Sequence, residues 1–238
     1  MIRIKQLEKK FGKFEVLKGI SFDVEPGKIT AIVGPNGSGK TTIIKTILGL
    51  VKPDDGDILI NDKSVLGDFL YRKDIGYMPQ TASFPENITV REVIKMICDL
   101  RNSRMNLDEH LINKLNLSSE LGKQIKNLSG GNKQKVSALI SLMFDPSIII
   151  LDEPTAGLDP VASSHFKEII LNEKKKGKSI ILTSHIMSEI EEMADHIIFL
   201  LEGKICFDGS ILSLLTYKGE SKLEKAIANM MSEVTKWN

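Results

Sequence analysis

The nine residues Gly34 to Thr42, GPNGSGKTT, stand between two apolar runs of different texture. Before them Ile29-Thr30-Ala31-Ile32-Val33 is short and β-branched and predicts a buried strand. After them Thr42 to Leu48 predicts a helix, with Gly49 as its stop. Gly34, Gly37 and Gly39 let the backbone curl until several N–H groups point inward, and the following helix adds the positive end of its dipole. Together they form a nest for polyphosphate. Lys40 can reach the outer phosphates as a compact charge, and the Thr41 hydroxyl is placed to ligate Mg²⁺. Gly34, Pro35, Asn36, Gly37, Ser38, Gly39, Lys40, Thr41 and Thr42 are thus candidate nucleotide contacts. A dinucleotide fingerprint fails on spacing, because Thr42 stands where a third glycine belongs. The spacing defines a nucleoside-triphosphate site, with a kinase, a GTPase, a motor and a transporter ATPase all open.

The 238 residues suffice for one sizeable α/β domain, or a core with one inserted lobe. Lys and Arg total 32 against 31 Asp and Glu, which gives no general electrostatic reason to expect nucleic acid. Lys174-Lys175-Lys176 falls at a predicted helix C-terminus, where lysines answer the dipole. Cys98 and Cys206 form no CxxC and no disulfide framework, which fits a reducing cytoplasm. Met1 to Lys5 alternates like a strand and lacks a signal-peptide core. The apolar runs are far shorter than the ~20 residues of a membrane helix, so the chain is not expected to cross a bilayer by itself.

Residues 2–7 and 15–24 alternate as antiparallel strands. Further strands are predicted at 57–60, 75–78, 147–151, 179–183, 197–201 and 204–207, the last two turning at Glu202-Gly203. From Ala82 to about Phe144 strand signals vanish. Val90, Val93, Ile94 and Ile97 recur at helical spacing behind the candidate cap Thr89, and helices are expected around Leu111–Leu117 and from Ser129 to Phe144. This block reads as a helical lobe inserted into an α/β core. Helices are also expected at 161–175, 211–215 and 223–234, and the apolar positions after about Tyr217 suit either the core or a partner.

Asp152-Glu153 follows an apolar strand directly. In a parallel sheet such acids face the phosphate loop, because ligands gather at the carboxyl ends of strands. One carboxylate can hold Mg²⁺ and the other polarise an attacking water. Leu128-Ser129-Gly130-Gly131 opens a predicted helix with a hydroxyl and two glycines, a second anion nest or an ordinary cap. The order phosphate loop, Gln80, LSGG, strand-Asp-Glu, His185 resembles the ATP-binding-cassette (ABC) ATPases over essentially the whole chain.

That resemblance implies an α/β P-loop fold, a mixed sheet with an antiparallel N-terminal subdomain and an inserted helical subdomain. Residues 1–81 and 145–215 would be the RecA-like core with the antiparallel sheet, 82–144 the helical subdomain and 216–238 a helical tail, all within one ABC ATPase domain. It implies ATP and Mg²⁺ as ligands. Phe11 matches the ring that stacks on adenine. Gln80 matches the glutamine that touches Mg²⁺ and the attacking water, and Thr41, Gln80 and Asp152 form the metal set. Glu153 matches the catalytic carboxylate, with Lys40, Gln80 and His185 beside it, His185 contacting the γ-phosphate. Gly157-Leu158-Asp159 matches the loop that links two sites. The family works as a head-to-tail dimer, each ATP lying between one chain's phosphate loop and the other's Ser129, Gly130 and Gly131. A second copy, or a similar ATPase, is therefore an expected partner. The family usually continues LSGG with Gln; here Asn132 stands instead.

A finer resemblance, over Tyr71 to Gln80, Phe84 to Thr89 and Thr183 to Glu189, is to the ATPase subunit of the transporter that matures nitrous oxide reductase. It implies a membrane permease, a periplasmic accessory protein and copper or sulfur cargo, with this chain cytoplasmic and peripheral on the inner face of the membrane. The rival reading is a soluble ABC machine acting on ribosomes or DNA. Ribosomal members usually fuse two cassettes and DNA-repair members insert long coiled coils; neither is visible here.

Overall fold

The computed structural model describes residues 1–103 and 108–235. Ten strands and eight helices alternate along it. The chain begins β1 (Ile2–Phe11), β2 (Phe14–Val24), β3 (Ile29–Val33), α1 (Lys40–Ile47), β4 (Asp55–Ile60), β5 (Lys63–Ser64), β6 (Ile75–Met78), α2 (Val90–Leu100), α3 (Glu109–Lys114) and α4 (Gly130–Leu142). It continues β7 (Ile148–Asp152), α5 (Pro160–Lys175), β8 (Ser179–Thr183), α6 (Met187–Met193), β9 (His196–Leu201), β10 (Lys204–Gly209), α7 (Ile211–Lys218) and α8 (Leu223–Thr235).

The strands form two sheets. One is antiparallel, in the order β2-β1-β4-β5; the other runs β10-β9-β3-β8-β7-β6, parallel except for the edge pair β10–β9. The parallel core strands β3, β7 and β8 are buried at every position, as strands covered on both faces must be. Their registers place Ile32 beside Thr183, and Thr183 beside Asp152. The carboxyl ends of β3, β8 and β7 therefore lie side by side, and the phosphate loop leaves the first of them.

The antiparallel sheet alternates as its sequence predicts: Ile2, Ile4 and Leu7 of β1 and Leu17, Ile20, Phe22 and Val24 of β2 are buried. β1 runs four residues beyond its expected end. The continuation is polar, and cross-strand ion pairs carry it: Lys9 with Asp54 at 2.9 Å and Lys10 with Glu15 at 3.1 Å. This extension delivers Phe11. β5 follows a two-residue turn at Asn61 and Asp62, both at positive φ.

α1 buries Ile43, Ile44 and Ile47 between the two sheets. It ends at Leu48, where the Leu50 N–H returns to the Lys45 carbonyl at 2.8 Å, with Gly49 left-handed. Thr89 caps α2 in a reciprocal box with Glu92. One apolar cluster runs from Val93, Ile94 and Leu139 in α2 and α4 to Ile149, Leu151 and Phe166, so the helices between β6 and β7 share a core with the large sheet.

α8 supplies Leu223, Ala226, Ile227 and Met230 to a third cluster with Val33 and Phe199. These four positions of the tail thus pack on the core, while Tyr217 and Met231 stay exposed; residues 236–238 lie outside the described residues. α6 was not signalled as a helix, although Met187, Ile190 and Met193 recur at spacing three. Two of the three lysines at the end of α5 are spent locally, Lys174 on Asp195 at 2.5 Å and Lys176 on Glu173 at 2.7 Å. Among the described residues no helix is long and apolar enough to cross a membrane.

Candidate nucleotide site

A cleft of about 300 Å³ opens at the carboxyl ends of β3 and β7. Phe11, Val16, Asn36, Gly37, Gly39, Lys40, Thr41, Thr42, Gln80, Asp152 and Glu153 line it. The phosphate loop is fixed by its own backbone. A Cβ on Gly34 would stand 2.0 Å from the Leu200 carbonyl oxygen, and one on Gly39 (φ 111°) 2.8 Å from Leu17 Cδ2. Gly39 caps α1 in the left-handed region without any side-chain hydrogen bond, so the first N–H groups of the helix are aimed into the cleft with no competing acceptor.

The Lys40 ammonium donates to the carbonyls of Gly34 at 2.7 Å and Pro35 at 3.0 Å, holding the loop closed beneath it. Burial lowers the Lys40 pKa, against the pull of Glu153 and Asp152. Ser38 is 2% exposed, and its Oγ is one of two buried side-chain polar atoms among the described residues without a hydrogen-bond partner. Ser38, like Gly34 and Pro35, does not line the cleft; a polyphosphate there would be met by the loop's backbone N–H groups and the Lys40 ammonium.

Asp152 ends β7 and is 7% exposed. Burial raises its pKa, offset by the Thr183 hydroxyl, which donates to Oδ1 at 2.5 Å. Burial and the Asp152 charge push Tyr77 up to about 12. Thr41 and Gln80 line the same cleft as Asp152. A hydroxyl, an amide oxygen and one carboxylate beside a phosphate nest suit Mg²⁺, which takes few protein ligands and completes its shell from phosphates and water.

Glu153 follows with φ 49°, a left-handed backbone rarely held by a bulky residue. Thr183 sustains it: the Glu153 N–H donates to the Thr183 carbonyl at 3.0 Å and hydroxyl at 3.2 Å. Glu153 Oε2 then accepts from Gln80 Nε2 at 2.9 Å and lies 3.1 Å from His185 Nδ1. Three residues distant in sequence meet on one carboxylate oxygen. Below them the buried Glu189 accepts from Thr155 Oγ1 at 2.7 Å and Ser184 Oγ at 3.3 Å, tying together the segments that carry Glu153 and His185.

Phe11 is 51% exposed at the cleft edge, so its ring is no core residue. Lys9 Nζ lies 5.4 Å from its centroid. Val16, on the facing strand, completes that wall; its signal was its register against the β1 hairpin. Thr183, Thr155 and Glu189 were given no role at the site by sequence, and the register of β8 against β7 and the short helix α6 bring them to it.

Ser129, Gly130 and Gly131 do not line this cleft. They open α4, where Ser129 Oγ accepts from the Asn132 N–H at 3.2 Å. Gly131 lies against the Gly157 carbonyl: a Cβ there would approach it to 3.0 Å. Asp159 caps α5, accepting from Val161 N at 3.0 Å and Ala162 N at 2.9 Å, and these bonds lower its pKa.

A family model described as ABC transporter matches residues 17–156, and the chain belongs to that family. It is an ABC ATPase, binding ATP with Mg²⁺ and hydrolysing it. A second model, described as an AAA domain, putative AbiEii toxin, matches residues 124–191. The lantibiotic transport ATP-binding protein SrtF of Streptococcus pyogenes is 33% identical over 231 residues, 97% of each chain. The L-cystine import ATP-binding protein TcyN of Bacillus subtilis is 33% identical over 222 residues, 88% of this chain and 86% of that one. A solved ATP binding subunit of an ABC transporter superposes with a TM-score of 0.90 at 27% identity, over 97% of this chain and 99% of that one.

Proposed function

We propose that two copies of this chain close head to tail around two Mg-ATP and drive a membrane permease. One observation carries the reading. The cleft gathers Lys40, Gln80, Asp152 and Glu153 within one chain, and His185, which does not line it, reaches Glu153 at 3.1 Å, while the second anion nest, Ser129 to Gly131, begins a different helix and does not line it. A site complete except for that nest calls for a second chain to bring it.

In this reading Phe11 and Val16 receive the adenine, and the N–H groups from Gly34 to Thr42 with Lys40 cradle the phosphates. Thr41, Gln80 and Asp152 would hold Mg²⁺, which would supply neutralising charge to the phosphates. Glu153 accepts the proton of the attacking water, and Gln80 and His185 fix its carboxylate. His185, 70% exposed at its side chain, is free to meet the γ-phosphate. Ser129 caps its own helix as an acceptor, which leaves its hydroxyl proton to donate across the dimer.

Residues 82–144 are assigned as the helical subdomain, 1–81 and 145–215 as the core and 216–238 as the tail. The helical subdomain and the loop after Gln80 dock the permease. Leu100 at the end of α2, and Leu50, Phe69 and Leu70 of the core, are all more than 60% exposed and offer apolar surface. Two arginines knit that face together: Arg72 donates to the Gly49 carbonyl at 3.0 Å and Arg101 to the Lys73 carbonyl at 3.1 Å. The chain then works on the cytoplasmic face of the membrane, held there by the permease. The residues at 71–80, 84–89 and 183–189 support a finer assignment to nitrous oxide reductase maturation, with copper or sulfur cargo and a periplasmic accessory protein.

Glu153→Gln tests the chemistry: turnover falls by roughly 10²–10⁴-fold, while ATP binding persists and an ATP-bound dimer accumulates. Turnover near that of the parent overturns the assignment. Pulldown of that variant with ATP from native membranes recovers a multi-span permease; a copper-site accessory protein beside it supports the finer assignment, and ribosomal or DNA-repair proteins in place of a permease overturn the transport reading.

A further inference from the structure

Asn132 replaces the family's usual glutamine, and its side chain is committed within its own chain. Its Nδ2 donates to Glu120 Oε2 at 3.1 Å. Glu120 is 8% exposed, and its other oxygen accepts from Lys123 Nζ at 2.6 Å and Ser119 Oγ at 3.3 Å. Lys123, foremost, holds the carboxyl below its ordinary range. Asn132 also donates its backbone N–H to Ser129 Oγ at 3.2 Å. Residue 132 therefore joins the two halves of one construction: its main chain fixes the Ser129 hydroxyl and its side chain fixes residue 132 to Glu120. Glu120 itself belongs to the turn after Leu117, whose carbonyl accepts its N–H at 2.9 Å.

We propose that Glu120 is a positioning residue for ATP capture by the neighbouring chain, setting the angle at which Ser129, Gly130 and Gly131 are presented across the dimer. The proposal rests on the head-to-tail reading above. A carboxylate held on its far side by a lysine is a firm anchor. A hydrogen bond to a charged acceptor is stronger than one between neutral groups. The length of residue 132 matters for the same reason. Asn reaches Glu120 from the third position of α4, and the side chain is thereby drawn back into the lobe instead of outward to the nucleotide. The contact that a glutamine would make outward is given up here for a fixed turn, and the outward contacts fall to Ser129 and the two glycine N–H groups.

The test uses the full chain in a Glu153→Gln background. ATP binding to the isolated chain and the ATP-dependent dimer constant are measured separately, the first by titration at low protein concentration and the second by analytical ultracentrifugation. Asn132→Asp sets two carboxylates against each other, and Glu120→Ala removes the anchor. Each is expected to weaken the dimer by about tenfold with single-chain ATP affinity unchanged. The double variant Glu120→Gln with Asn132→Asp reverses the donor and acceptor: the new amide nitrogen donates to position 132 while its oxygen still accepts from Lys123; it restores the dimer to within about twofold of the parent. Dimer constants unchanged in both single variants overturn the proposal. So does a double variant as weak as the singles, which would trace the loss to stability of the lobe and not to this bond. A parent that stays monomeric with ATP overturns the head-to-tail reading itself, and the role of Glu120 with it.

Discussion

The N-termini of α1 and α4 are both glycine-rich, and neither carries an acid in its first turn. They are held by opposite means. At α1 the backbone does most of the work, with the Lys40 ammonium closing the loop: Gly39 caps without a side chain, the Gly203 N–H meets the Ser38 carbonyl at 3.2 Å, and buried strand stands directly behind. At α4 side chains do it, through Ser129, Asn132 and Glu120. A backbone nest is organised before any ligand arrives, and little is left to rearrange on binding. A nest hung on side chains can be re-aimed by small rotations of the lobe that carries it. The first suits the half-site proposed to keep the nucleotide, the second the half-site proposed to approach and withdraw.

Gly34→Ala should break this contrast most severely on the α1 side. The added methyl meets the Leu200 carbonyl at 2.0 Å, and that oxygen belongs to a central strand with no room to retreat. A loss of at least ~3 kcal/mol in denaturant unfolding is expected, together with loss of ATP binding. Stability within experimental error of the parent would show that the loop is softer than its geometry implies.

The charges differ as the backbones do. Asp152 is raised by burial, whereas Glu120 is lowered by Lys123. For Asp152 the folded value exceeds the ordinary 3.8, so its contribution is most favourable below 3.8 and is lost as pH rises through the folded value. At neutral pH the ionised carboxylate therefore costs stability, and Asp152→Asn should raise Tm by about 2–4 °C, as ~1 kcal/mol does in a domain of this size. The gain should shrink as the scan pH is lowered toward 3.8. Hydrolysis should fall in the same variant, since the proposed metal ligand is gone. Glu120→Gln should move the other way, losing stability at neutral pH and less under acid conditions. A lower Tm for Asp152→Asn at pH 7 would mean that Thr183 outweighs burial at this site.

Much of this was legible in the sequence because the local signals agree with the global fold. The buried strands at 29–33 and 180–183 are apolar or β-branched runs, and the Thr89 box and the stop at Gly49 follow from residue chemistry alone. The end of β1 was not legible, because Glu8, Lys9 and Lys10 are polar and only their cross-strand partners Asp54 and Glu15 hold them extended. α6 was missed because seven residues give barely two turns of periodicity. At the site, motifs pointed to Lys40, Asp152 and Glu153, which line one cleft, whereas Thr183, Glu189 and Glu120 take their places through register and tertiary reach, which spacing along the chain does not record.

Gly130→Ala is the mildest change and the sharpest probe of the contrast. A Cβ at Gly130 meets nothing within 4 Å, and the residue is the first of α4, where alanine suits the helix better than glycine. Fold stability should stay within about 0.5 kcal/mol of the parent. The added methyl nevertheless stands on the surface where the proposed partner's phosphate must approach two bare N–H groups. The ATP-dependent dimer in the Glu153→Gln background should therefore weaken severalfold while single-chain ATP binding holds. A destabilised fold with normal dimerisation would reverse the contrast: the glycine at α4 would then serve the chain that carries it, as Gly34 does, and not the chain across the interface.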